Sequence, residues 1–141
     1  MTWLTDLIDY GVIGLLFILS VWAVAIAFER YSFFRQVQVK GYLSEVALET
    51  ALTRRLVVIG TIAANAPYIG LLGTVLGIML TFYTMGTAGS LDVKTIMIGL
   101  SLSLKSTAMG LMVAIPCVVM NNMLRRKVKE LVTEYGADRG T

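Results

Sequence analysis

The charged residues leave three long gaps, and those gaps constrain this chain more than any other feature. Nineteen uncharged residues separate Asp9 from Glu29, and thirty-six separate Arg55 from Asp92. From Thr95 to Leu124 the only charge is Lys105. A helix needs about 20 apolar residues to cross a bilayer. The first gap predicts one span over about 10–28. The second would be about 54 Å long as a helix, well beyond one hydrocarbon core. It predicts a span with an extension buried in protein, over about 56–86 and broken or bent near Pro67. The third predicts a span over about 95–124. A 141-residue chain that is 57% hydrophobic and 15% charged has too little interior to hide that surface in water. The fold class is therefore all-α membrane protein with three transmembrane helices, in a single domain 1–141.

The first span reads as retained rather than as a cleaved signal. Its leading segment holds Asp6 and Asp9 with no Lys or Arg, and the run ends in Phe28-Glu29-Arg30 with no small-residue cleavage site. Basic residues set the orientation. Arg30, Arg35, Lys40, Arg54 and Arg55 lie between spans one and two, and Arg125, Arg126, Lys127, Lys129 and Arg139 follow span three. Before the first span there are none, and the loop at about 87–94 has only Lys94. The positive-inside rule predicts the N-terminus outside and the C-terminus in the cytoplasm. Trp3 and Tyr10 would anchor the outer interface, and Tyr31, Phe33 and Phe34 the inner one.

Two pieces fall in the cytoplasm. In the segment 29–55, Val39, Leu43, Val46 and Leu48 form a loose helical stripe, with Gly41 and Ser44 as candidate helix starts. In the tail, about 125–136, the stripe Leu124, Val128, Leu131, Val132 and Tyr135 continues helix three out of the bilayer. It packs either on the extension of span two or on another copy of the chain.

Spans two and three carry small residues and hydroxyls on single faces. Ala66, Gly70, Gly73 and Gly77 form a track suited to close helix packing in lipid, and Gly99 and Gly110 continue the theme on span three. Pro67 and Pro116 each remove a backbone bond. Thr74, Thr81, Ser103 and Thr107 are candidate pore-lining residues. Their hydroxyls either bond back to their own helix or line a wet path. Lys105 lies about 200° from Thr107 around the helix. If the third span is 105–124, Lys105 snorkels at the outer edge. If the span is nearer 96–117, it is mid-membrane and needs a partner acid, which no span of this chain supplies. Any proton-conducting carboxylate would then come from a second protein.

The chemistry excluded is broad. There is no His and one Cys, Cys117, read as a small buried apolar residue. That leaves no usual zinc site, no Ser-His-Asp or Cys-His catalysis and no intrachain disulfide. GLLGTVLG lacks the Lys and the strand context of a phosphate loop. No cofactor or metal, no nucleic-acid partner and no enzymatic activity are expected.

The stretch Ala66-Pro67-Tyr68-Ile69-Gly70-Leu71-Leu72-Gly73-Thr74-Val75-Leu76-Gly77-Ile78-Met79 resembles a signature of the MotA/TolQ/ExbB proton-channel family. So does Ser106-Thr107-Ala108-Met109-Gly110-Leu111-Met112-Val113-Ala114-Ile115-Pro116, with Asn121 and Asn122 after it. The resemblance covers essentially the chain and is nearest to the ExbB branch in a short form. It implies a homopentamer in the bacterial inner membrane that encloses the single spans of an ExbD dimer. Proton flow through that motor drives a TonB-like transducer, and the conducting acid is an Asp of ExbD. The resemblance also implies pore-facing roles for Thr74 and Thr107. Family members often carry a Glu eight residues before the motif glycine; here that position is Leu102, with Lys105 one turn later. The alternatives are a TolQ-like subunit serving envelope integrity and division, and a non-conducting membrane scaffold.

Overall fold

The computed structural model describes residues 2–89 and 92–139. It contains α1 (Thr2–Gln36), a single 3-10 turn (Val39–Gly41), α2 (Glu45–Thr53), α3 (Leu56–Ala88) and α4 (Val93–Arg139). Three of these helices, α1, α3 and α4, are long and apolar enough to cross a membrane. Each exceeds the ~30 Å hydrocarbon core, since 33 residues already rise about 50 Å. Of the connection at 87–94, Ser90 and Leu91 lie outside the described residues.

Local chemistry sets the helix ends. The Ser44 hydroxyl accepts the Ala47 N–H at 3.1 Å and caps α2. Arg55 adopts φ 69°, which turns the chain sharply from α2 into α3. At the far end of α3, Gly89 takes φ 71° and its N–H closes on the Met85 carbonyl at 3.2 Å. Asp92 then caps α4, accepting from the Lys94 N–H at 3.2 Å and the Thr95 hydroxyl at 2.8 Å.

Neither proline breaks its helix. Of the break or bend expected near Pro67, the break does not occur: α3 is helical throughout, and α4 is helical through Pro116. Each ring removes one ladder bond. Around Pro67 the turns are held by buried Ile62, Ala63, Ala66 and Gly70, so packing keeps the segment helical. Span three and the tail are likewise one continuous 47-residue element.

The largest core lies at the end that carries the basic residues. Phe34 of α1, Val39 of the 3-10 turn, Leu48 and Leu52 of α2, Leu56 and Ile59 of α3, and Leu124, Val128, Leu131 and Tyr135 of α4 form one buried cluster. The tail stripe is thus satisfied within the chain, on the start of α3 and on α2. Tyr135 donates its hydroxyl to the Tyr42 carbonyl at 3.1 Å. The stripe expected over 39–48 is corrected. Leu43 and Val46 are exposed, because α2 begins after Ser44 and turns Leu48 and Leu52, one turn apart, into the core. Arg30 is buried here as well. It donates to the Ala51 carbonyl at 2.9 Å and to Glu29 at 2.6 Å, and lies over the Phe33 ring at 4.5 Å.

Away from that knot two smaller clusters, around Ala63 with Cys117 and around Leu16 with Ala66 and Ala114, hold the three long helices together, and their outer faces stay open. Leu71, Leu72, Val75 and Met79 of α3 and Leu104, Leu111, Met112 and Ile115 of α4 are exposed, as surfaces that face lipid or other chains are.

Candidate functional site

The site is the antiparallel seam between α3 and α4. Glycines set its closeness. A Cβ on Gly70 would stand 2.5 Å from the Ser106 carbonyl oxygen, and one on Gly110 would stand 2.7 Å from the Ala66 carbonyl oxygen. The two backbones therefore touch at Gly70 and Gly110, and no larger residue fits either position. Gly73 faces Ser106, Gly77 faces Ser103, and on the other side Gly99 faces Thr81. Small residues alternate across the seam, so each helix places a hydroxyl where the other lacks a side chain.

This closeness brings the hydroxyls together. Thr74 donates to the Ser103 carbonyl at 2.9 Å, with the Gly70 carbonyl of its own helix at 3.3 Å, and its Oγ1 is hydrogen-bonded to Thr107 Oγ1. A hydroxyl carries one proton and two lone pairs. With the Thr74 proton on Ser103, Thr107 donates to Thr74, and the two form a directed chain. Thr74 and Ser103 are buried, and Thr107 is half-buried. The other two candidates bond within their own helices: Thr81 to the Gly77 carbonyl and Ser103 to the Gly99 carbonyl, both at 2.9 Å. The structure thus brings Thr74, Ser103 and Thr107 into one cluster, and leaves Thr81 about two turns away. Pro67 and Pro116 are half-buried and exposed respectively.

The same register fixes the level of Lys105. It stands between Ser103 and Thr107 along α4, opposite the middle of α3, and is exposed on the side turned away from the seam. Among the described residues no carboxylate lies within ion-pair distance of it.

Two residues of the site escaped sequence reasoning. Ser106 is fully buried, and its hydroxyl has no hydrogen-bond partner among the described residues. Its motif position was legible, but its burial against Gly73 depends on the partner helix. Asp9 lines a cavity between α1 and the seam. In the sequence it marked only the edge of a span.

A family model described as the MotA/TolQ/ExbB proton channel family matches residues 35–137. The chain belongs to this family. The chain is 50% identical to the biopolymer transport protein ExbB of Aquifex aeolicus over 135 residues, 96% of this chain and 91% of the relative. It is 53% identical to the putative biopolymer transport protein ExbB-like 2 of Helicobacter pylori, over 92% of this chain and 87% of the relative. Similarity to the Tol-Pal system protein TolQ of Haemophilus influenzae is weaker: 32% over 79% of this chain and 54% of that protein. Family membership makes this a multi-pass inner-membrane transport protein of the proton-channel type, and not an enzyme.

Proposed function

We propose that this chain is the multi-copy channel subunit of an inner-membrane motor that couples proton flow to work at the outer membrane. The function is ExbB-type: with an ExbD-like partner, the motor energises TonB-dependent import. The chain forms one family domain with its N-terminus outside and its basic knot in the cytoplasm. Ten of the twelve Lys and Arg residues lie on the side this orientation makes cytoplasmic. A ring of copies, five by family resemblance, surrounds a pair of single-span partner chains.

The observation that carries this reading is the Thr74–Thr107 hydroxyl pair, set in a seam with no carboxylate at its level. Such a seam hydrogen-bonds water and relays hydroxyl orientation, but it does not supply an acid that takes and releases protons. The acid comes from the partner. Lys105, level with the hydroxyl pair, supports the same view. A basic residue in mid-membrane costs about 2.5–3.5 kcal/mol on insertion scales unless paired, so a partner acid is its natural counterpart. Thr81 extends the wet lining towards the outer face.

The TolQ-type alternative rests on the 32% identity to a TolQ protein. Native mass spectrometry separates the two, using the chain co-expressed with ExbD-like and TolR-like proteins from the same genome. An oligomer holding the ExbD-like chain supports import. One holding the TolR-like chain moves the function to envelope maintenance. An oligomer retaining neither refutes the partnered motor.

A further inference from the structure

A cavity of about 190 Å³ opens between the first turns of α1 and the seam of α3 with α4. Its wall includes Asp9 of α1, Thr81 and Thr84 of α3, and Thr95 and Ser103 of α4. Among the described residues, Asp9 is the only acid or base in that wall, and it is half-buried. The neighbouring charges lie outside the wall. Asp6, one turn away on α1, is exposed, as are Asp92 and Lys94 at the start of α4. α3 carries no Asp, Glu, Lys or Arg, and its Tyr83 is exposed, as is Tyr10 of α1. Three threonines, a serine and Asp9 share the wall with apolar Ile8, Leu80, Met85, Ile98 and Leu102, so the space has room for several waters and polar partners on one part of its wall.

The cavity reaches the residue that holds the buried hydroxyl pair. Ser103 is part of its wall, and the Ser103 backbone carbonyl accepts the Thr74 hydroxyl. An acid needed only to favour the start of α1 or to mark the interface has no use for such a space, and exposed Asp6 already stands there.

We propose that this cavity is a proton-uptake vestibule, in which the Asp9 carboxylate takes a proton from the outer face and hands it to water beside Ser103, the residue whose carbonyl holds the Thr74 hydroxyl. In the transfer an O–H bond forms on Asp9 as hydronium becomes water. That bond then breaks to a cavity water, and the carboxylate is regenerated. The inference rests on the orientation and proton path of the proposed function, and it assigns the chain's own acid to the step before the partner's.

The test uses the complex with its ExbD-like partner in liposomes loaded with a pH-sensitive dye. Asp9→Asn is expected to lower proton flux by about tenfold or more, whereas Asp9→Glu stays within about twofold of the parent. The dependence of flux on external pH should flatten in Asp9→Asn and persist in Asp9→Glu. Parent-like flux and pH dependence in Asp9→Asn overturn the proposal. Thr74→Val tells the two ideas apart: if it blocks flux while Asp9→Asn does not, only the vestibule fails. If neither variant changes flux, the path beneath it fails too. Should Asp9→Asn not assemble, Thr84→Cys in a Cys117→Ala background decides. Rapid labelling by a membrane-impermeant thiol reagent from outside supports the vestibule, and protection overturns it.

Discussion

Thr74 and Thr107 meet hydroxyl to hydroxyl across the α3–α4 seam, and Thr74 also donates to the Ser103 carbonyl. That carbonyl lies within a continuous helix, so its ladder bond survives when the threonine is changed. Thr74→Val and Thr107→Val each remove a hydroxyl at nearly constant volume. Each should cost only about 1 kcal/mol of stability, leave the oligomer intact, and lower TonB-dependent uptake by about tenfold or more. Thr107→Ser retains the hydroxyl and should retain uptake. Growth on an iron–siderophore complex reads the result. Normal growth of both valine variants would remove the pair from the pathway.

The Gly70–Gly110 crossing sets how near the helices come. A Cβ at position 110 would lie 3.0 Å from the Gly70 Cα as well as against the Ala66 carbonyl. Backbone cannot swing aside as a side chain does. Gly110→Val should therefore destabilise by at least the ~1–3 kcal/mol of ordinary overpacking. Gly86, where nothing lies within 4 Å, is the control. Gly86→Ala should be neutral or stabilising by up to ~1 kcal/mol. Thermal unfolding in detergent distinguishes them, and equal melting temperatures would contradict the close crossing.

Arg30 joins α1 to α2 through the Ala51 carbonyl while lying over Phe33. Arg30→Lys keeps the charge that counts for membrane orientation but loses the planar fork. It should lower stability by about 1.5–3 kcal/mol, with the N-terminus still outside by reporter fusion. A melting temperature equal to the parent's would assign Arg30 to orientation alone.

Lys105 stands level with the hydroxyl pair but faces away from it. If Lys105 pairs with the partner's acid as proposed, Lys105→Leu should reduce co-purification of the ExbD-like partner sharply, because removing one member of a buried pair costs about 3–5 kcal/mol. Lys105→Arg keeps the charge and should keep most of the partner. Undiminished retention in the leucine variant would mean that Lys105 reaches lipid headgroups instead.

The three long helices are legible in the order of residues, because the gaps between charges measure membrane thickness and helical rise without reference to any partner. It placed α3 at 56–86, against Leu56–Ala88 in the structure. The Ser44 cap and the tail stripe from Leu124 to Tyr135 were legible for the same reason: capping and amphipathic periodicity are local. Tertiary structure alone decided what those elements touch. It sent the tail stripe onto α2 and α3, left Leu43 and Val46 in the open, and kept α3 helical through Pro67. It also joined Thr74 to Thr107, hid Ser106, and set Asp9 into a cavity. Each of these depends on the register between helices. Register comes from glycines fitting against a particular facing backbone, and no single helix contains that information.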